Sequence, residues 1–556
     1  MYFLYKQFCI FKINFSILAK KALKNKVLTE KKEEIINIDE TIGKYFWIII
    51  PVLAVIYFIS SKISQGFYQD DEIGQFLNML DFWTKPFSIL GNNPKPGWKI
   101  FMVLPALFGY DFVLFFNSLI AAATVFFAYK LLRIYKVNFA YLGALLLASQ
   151  PLFFDLSFRS YSEIFTALCI VIFLILYKKE KFLLSGLMAG YIFTIRQEMV
   201  IFLIILFIIF IINKKYVPAL LIGIFPVLYN ILGYFKTGDI MFILTEMKSV
   251  ASLVYTSQGP MHYFIFYIFI VGPVCLSLFL SGFFGFLTDT KKNKEYIQKY
   301  LLFYAIFITV FAVQVYIMFS NGPNPGNWRY LLHISPVCVF FAMLGFNNFS
   351  NSKTKTLNIA VLILLILITF AFFSKVSDGF KFKEPIEVDY TKVLVLIAFL
   401  FSVFIFPYKN ISKYLNTLSV FLVLLSFLYL GLDFKPKVLS QENLTVINAS
   451  KFINTPDFNT KTIFVNHTLF KFYSDNYRSN PLRFKTLNSK NLKDIEPGSI
   501  LVWESHYGYR PDFKNEKGDS NDVKFELLQK DTINYKLLNQ FISADKRFSA
   551  FIFQKN

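Results

Sequence analysis

The stretch Lys44-Tyr45-Phe46-Trp47-Ile48-Ile49-Ile50-Pro51-Val52-Leu53-Ala54-Val55-Ile56-Tyr57-Phe58-Ile59-Ser60-Ser61-Lys62 carries no charge between its two lysines. At about 1.5 Å of rise per helical residue, such a run is long enough to cross most of a hydrocarbon layer roughly 30 Å thick. Only a helix satisfies every backbone N–H and C=O there. The pattern recurs down the chain and predicts about thirteen spanning helices, at 44–62, 111–132, 138–154, 161–177, 182–196, 198–212, 216–233, 262–287, 299–320, 329–347, 357–374, 391–407 and 414–432. The segments 138–154, 182–196 and 198–212 are short enough to be tilted, buried or re-entrant. The expected class is an all-α polytopic membrane protein.

Composition excludes the soluble alternatives. The 556 residues are 55% hydrophobic and include 70 Phe, and mean hydropathy is +0.50. Charged residues make up 17%, against about 25% in an ordinary soluble domain. A net charge of +21 raises the question of nucleic acid. The lysines and arginines sit in short loops between apolar runs, however, and no basic stripe interleaved with aromatics marks a soluble binding face. They read as topology signals. Cys9, Cys169, Cys275 and Cys338 have no CxxC spacing, so neither a disulfide framework nor a zinc cluster is expected.

Residues 1–43 form a basic, partly apolar arm with no cleavage site of the signal-peptide kind, expected on the cytoplasmic side. The loops after alternate helices then carry Lys130, Arg133 and Lys136; Lys178, Lys179 and Lys181; Lys214 and Lys215; Lys291, Lys292, Lys294 and Lys299; Lys353 and Lys355; and Lys409 and Lys413. Six basic loops on one side define the inside. The body 44–435, with its outer loop 63–110, is followed by a polar segment, 436–556. Its short β-like runs Thr462–Val465, Ile500–Trp503 and Phe548–Phe553 predict a small extracytoplasmic α/β domain.

Four polar clusters fall on the predicted outer side. The first is Gly66-Phe67-Tyr68-Gln69-Asp70-Asp71-Glu72-Ile73-Gly74-Gln75. Adjacent carboxylates suit a general base or a divalent cation such as Mg or Mn, and equally a solvated helix start. The second is Asp155-Leu156-Ser157-Phe158-Arg159-Ser160-Tyr161-Ser162-Glu163, in which Arg159 is a candidate for holding phosphate or carboxylate. The same residues also suit an interfacial ion pair. The third, Arg196-Gln197-Glu198, interrupts two apolar runs, where charge is costly and tends to mark a site; a tight turn with snorkelling ends fits the same sequence. The fourth runs from Asn321 through Gly322-Pro323-Asn324-Pro325-Gly326-Asn327-Trp328-Arg329-Tyr330 to His333. Arg329 and His333, four apart, suit an anionic leaving group, although Trp328 and Tyr330 alone are ordinary membrane-interface residues. His262 and the Glu246/Lys248 pair are weaker candidates. Each cluster alone is weak; all four on one side is informative.

Tyr68-Gln69-Asp70-Asp71-Glu72-Ile73-Gly74-Gln75 resembles the outer first-loop motif of the GT-C glycosyltransferases, most closely the lipid-linked-sugar-dependent mannosyltransferases. Phe158-Arg159-Ser160-Tyr161-Ser162-Glu163, the later Ile195-Arg196, and Arg329-Tyr330 followed by Pro336 are similar to further hallmarks of that superfamily. The resemblance covers residues 44–347. It implies an inverting transfer of a sugar, a hexose in the mannosyltransferases, from a polyprenyl-phosphate donor to a lipid-linked glycan or protein acceptor. It also implies that Asp71 matches the general base and Glu72 its acidic partner. Asp70 stands where relatives often have Pro, so Asp70 and Asp71 are both candidates for the base. Arg159, Glu163, Arg196, Arg329, Tyr330 and His333 are the expected substrate-binding residues. No GxGxxG or GxxxxGK[ST] is present.

Three rival classes share some of these features, one of them a structural or receptor membrane protein whose tail does the binding. A polysaccharide polymerase or ligase would lean on Arg and His in a large outer loop. A lipid or solute transporter would carry midplane charge and internal repeats, neither of which is evident. The bias towards Lys, Ile, Phe and Asn is that of an AT-rich bacterial genome, hence an expected inner-membrane location.

Overall fold

The computed structural model describes residues 40–349 and 415–556, apart from 92–94, 253–254, 256–257, 289–292, 321, 476, 478–479, 493 and 515–519; between 350 and 414 it describes only isolated positions. Among the described residues, six helices are long and apolar enough to cross a membrane, or up to eight if each of two bent pairs is one span. The chain is a multi-pass membrane protein.

The thirteen expected spans are not all found, for physical reasons. The run 138–154 breaks into Ala140–Ala148 and Pro151–Ser157, bent by 65°, and 262–287 breaks into His262–Val271 and Pro273–Leu287, bent by 116°. Each second piece opens on a proline, which has no N–H for the preceding turn and favours a helix start. The segments 182–196 and 198–212 form the short helices Phe182–Phe193 and Gln197–Ile212. The expected spans 357–374 and 391–407 lie outside the described residues.

Helix α1 (Ile49–Ile63) turns Val52, Val55, Ile56 and Ile59 outward and buries Leu53, Ala54 and Tyr57. An apolar outer face on an apolar helix is the signature of hydrocarbon surroundings. The short loop helix α2 (Asp71–Asp81) and α3 (Pro96–Leu107) follow, then the long α4 (Tyr110–Ile134) and α5 (Glu163–Lys178). The span Trp328–Asn347 is 83% buried, whereas Tyr216–Thr237 and Leu415–Asp433 are mostly open. The former is central and the latter two are peripheral. Gly282 and Gly345 let the central helices Pro273–Phe283 and Ser335–Phe349 meet backbone to backbone; a Cβ on either would strike the other helix's carbonyl chain.

From Gln441 the chain folds as an α/β unit. Helices α6 (Gln441–Ile453) and α7 (Thr468–Tyr473) accompany strands β1 (Ile463–Val465), β2 (Phe484–Lys485), β3 (Ile500–Glu504), β4 (Tyr509–Lys514), β5 (Ser520–Asp522), β6 (Tyr535–Ile542) and β7 (Ser549–Lys555). The five-stranded sheet has the order β2-β1-β3-β7-β6, with β1 parallel to both β2 and β3 and the far edge antiparallel. β4 and β5 form a separate hairpin.

This unit is docked on the first loop. Gly66 N–H donates to the Lys437 carbonyl at 2.8 Å, and Lys437 N–H donates to Ser64 Oγ at 2.8 Å. A Cβ at Gly66 would run into the backbone of Lys437 and Val438. Phe472 packs edge-on against Phe67, Phe76 and Tyr110, and the Tyr477 hydroxyl donates to Asp81 at 2.8 Å.

Candidate active site

Asp70, Asp71 and Glu72 stand at the start of α2, where unpaired N–H groups and the helix dipole favour acids. Their side chains nevertheless take three different partners. Asp71 Oδ2 pairs with Arg329 at 2.7 Å, and Asp70 Oδ2 accepts the Tyr507 hydroxyl at 2.7 Å. Glu72 is fully buried and lies 3.5 Å from Arg159. Burial pushes its carboxyl up to about 7, against the opposing pull of Arg159. The three do not converge as a cation site would require. Among the described residues, the group of His, Cys and acidic side chains whose ligand atoms come together is Glu442, His467 and His506.

Arg159 does not reach the cavity described below. It donates to Ser64 Oγ at 2.8 Å and to the Gly66 carbonyl, so it fastens the first loop to the start of α5. Asn117, buried in α4, holds this turn by donating to the Arg159 carbonyl at 2.6 Å. The expected anion-binding role of Arg159 has no geometric support.

The remaining charges form a chain of alternating sign. Arg329 reaches Asp71 on one side and Glu163, at 3.7 Å, on the other. Glu163, buried at the first turn of α5, also pairs closely with Arg196, and Arg196 reaches Glu198 at 3.2 Å. Arg329 lies over the Tyr161 ring at 4.6 Å and Arg196 over the Tyr330 ring at 5.6 Å. Five ionic groups from four distant segments therefore hold one another in place. His333 is buried below them, with neither ring nitrogen hydrogen-bonded.

The loop before Arg329 is shaped by amides. Asn324 Oδ1 accepts the N–H groups of Gly326 and Asn327, both at 2.9 Å, and its amide donates to Gln314 at 2.8 Å. Asn327 caps the turn at Arg329 and donates to Gln69 at 3.0 Å. The fourth cluster is thus tied directly to the first.

Part of this network lines a cavity of about 650 Å³. All four clusters contribute to it, through Gln69, Asp70, Asp71 and Gln75; Tyr161 and Glu163; Arg196; and Asn327, Arg329 and Tyr330. Arg159, Glu72 and His333 lie outside it. Five lining residues escaped the sequence reading: Lys95, Trp98, Val250, Tyr255 and Tyr507. Lys95 has φ of 58°, a left-handed conformation that is strained for a side chain with a Cβ, and burial pushes its ammonium down to about 8. The one signal for it was a lysine in the Pro/Gly-rich stretch Pro94-Lys95-Pro96-Gly97.

The backbone path has a counterpart among solved structures. Among solved structures, ArnT from Cupriavidus metallidurans in the apo state matches with a TM-score of 0.57, over 92% of this chain and 98% of that one, at 10% sequence identity. No protein-family model and no curated protein sequence matches the chain. At this identity the likeness lies in the path of the backbone, not in the residues.

Proposed function

We propose that this chain is a membrane glycosyltransferase that moves a sugar, a hexose in our reading, from a polyprenyl-phosphate donor to a lipid-linked glycan or a protein acceptor. The cavity faces the outer side of a bacterial inner membrane, together with the C-terminal domain. The observation that carries the proposal is the Asp71–Arg329 pair on the wall of the cavity, 2.7 Å apart and drawn from segments far apart in sequence. A proton acceptor and a cation for phosphate stand side by side.

In this reading the donor phosphate enters between Arg329, Arg196 and Lys95 and competes with Asp71 for the Arg329 guanidinium. The freed Asp71 carboxylate accepts the acceptor's hydroxyl proton. The acceptor oxygen attacks the anomeric carbon from the face opposite the phosphate, and the bond from that carbon to the phosphate oxygen breaks. The leaving polyprenyl phosphate takes the electron pair, and its charge is offset by the three cations. Glu163 holds both arginines in register, and Asp70 is the alternative base.

The decisive experiment uses purified protein in nanodiscs with a panel of polyprenyl-phosphate sugars and candidate acceptors. Transfer by wild type, and its loss in Asp71→Asn with donor binding retained, is the expected result. Loss only in Asp70→Asn moves the base to Asp70, and equal transfer by both variants sinks the mechanism.

A further inference from the structure

Strands β1 and β3 are parallel neighbours, and each runs on two residues past its carboxyl end to a histidine, His467 and His506. The crevice outside the carboxyl ends of parallel strands is where open α/β sheets bind ligands. The first turn of α6 brings Glu442 to the same place. Its Oε1 lies 2.8 Å from His467 Nε2 and 2.7 Å from His506 Nδ1. The three candidate ligand atoms lie within 4.8 Å of one another.

We propose that Glu442, His467 and His506 form a divalent metal site of the zinc class, with water in the fourth position. Two imidazoles and one carboxylate are borderline ligands that suit zinc, and a three-ligand set leaves one position open. His467 is buried, whereas Glu442 and His506 are partly open, so an ion has a way in. The backbone behind the site is already rigid: the buried Glu504 carboxylate accepts the N–H groups of His506 at 2.7 Å and of Tyr507 at 2.8 Å.

One local cost opposes binding. His467 Nδ1 accepts the Leu469 N–H as the cap of α7. Ligation through Nε2 moves the ring proton to Nδ1 and gives up that bond. A single cap hydrogen bond is a small term beside the binding free energy of a structural zinc.

The metal joins α6 to the ends of β1 and β3. It also fixes His506, whose ring stacks on Tyr507 with centroids 4.0 Å apart. Tyr507 is the residue that touches Asp70. The site thus anchors the part of the C-terminal domain that lines the cavity, and it takes no part in sugar transfer itself.

The test uses the full chain, purified in detergent without a polyhistidine tag or chelator. Elemental analysis is expected to find one zinc per chain. Cobalt added to chelator-stripped protein is expected to give the visible absorption of a four-coordinate site. Glu442→Gln and His506→Gln are each expected to weaken zinc binding by at least about 100-fold, since even residues that only support metal ligands cost 10–100-fold. Their folding is checked independently by elution profile. A chain that binds no zinc or cobalt, or well-folded variants that bind as tightly as wild type, overturns the site. Metal content is read without any transfer assay, so the result stands apart from the glycosyltransferase reading.

Discussion

Arg329 is the residue on which most of the site converges, through Asp71, Glu163 and two aromatic rings. Removing a preorganised cation that meets charge developing in the transition state costs on the order of 100-fold or more in rate. Arg329→Ala is therefore expected to lose at least that much single-turnover transfer. Arg329→Lys should recover little, because a point charge cannot serve two carboxylates in a planar fork. Glu72 gives a prediction of the opposite kind. Its carboxyl is raised from the usual 4.5 to about 7, chiefly by burial. The folded state thus favours its protonated form. That contribution to stability is whole below about pH 4.5 and is lost as pH rises through about 7. Melting temperatures measured from pH 5 to 8 should show wild type losing stability relative to Glu72→Gln, and parallel curves would refute this. The acidic triplet was legible in the sequence; its division among Arg329, Tyr507 and Arg159 was not, because adjacent residues on a helix start point in different directions.

At the scale of elements, the first loop is a short helix pinned at its start. Arg159 fastens Ser64, Gly66 and Glu72 to the turn before α5. Breaking a buried charge network by removing one partner costs about 3–5 kcal/mol. Arg159→Ala is expected to lower thermal stability accordingly in a detergent melt, while a variant at the cavity-lining Gln75 should melt close to wild type. Arg159 and Glu163 stand four residues apart in the sequence, a spacing that puts them on one face only if the helix starts early. In the structure they part, because α5 begins only at Glu163 and the turn before it sends Arg159 back to the first loop. Helix spacing predicts a shared face only inside a helix. The same limit explains the span count: prolines at 151 and 273 open new helices within runs that hydropathy alone reads as continuous.

For the whole molecule, the C-terminal domain is part of the site's wall and not a tethered appendage. Its attachment runs through Gly66, Ser64 and Lys437, with Phe472 and Tyr477 on α2. Gly66→Val places side-chain atoms where the Lys437–Val438 backbone lies. This variant is expected to loosen the docked domain, so limited proteolysis should cut the 434–440 linker sooner than in wild type; an unchanged cleavage rate would show that the other contacts suffice.

The sequence by itself determined the membrane class, the polar C-terminal domain and the four polar clusters, because hydropathy and charge are local and survive being read one segment at a time. Its first-loop motif also pointed to the fold. Tertiary structure alone decided which charges meet. Asp71 finds Arg329 258 residues further along the chain, Gln69 finds Asn327, Tyr507 arrives from the last domain, and Lys95 turns inward on a strained backbone. Pairings across hundreds of residues are set by how helices pack and where they break. Spacing along the chain carries no record of either.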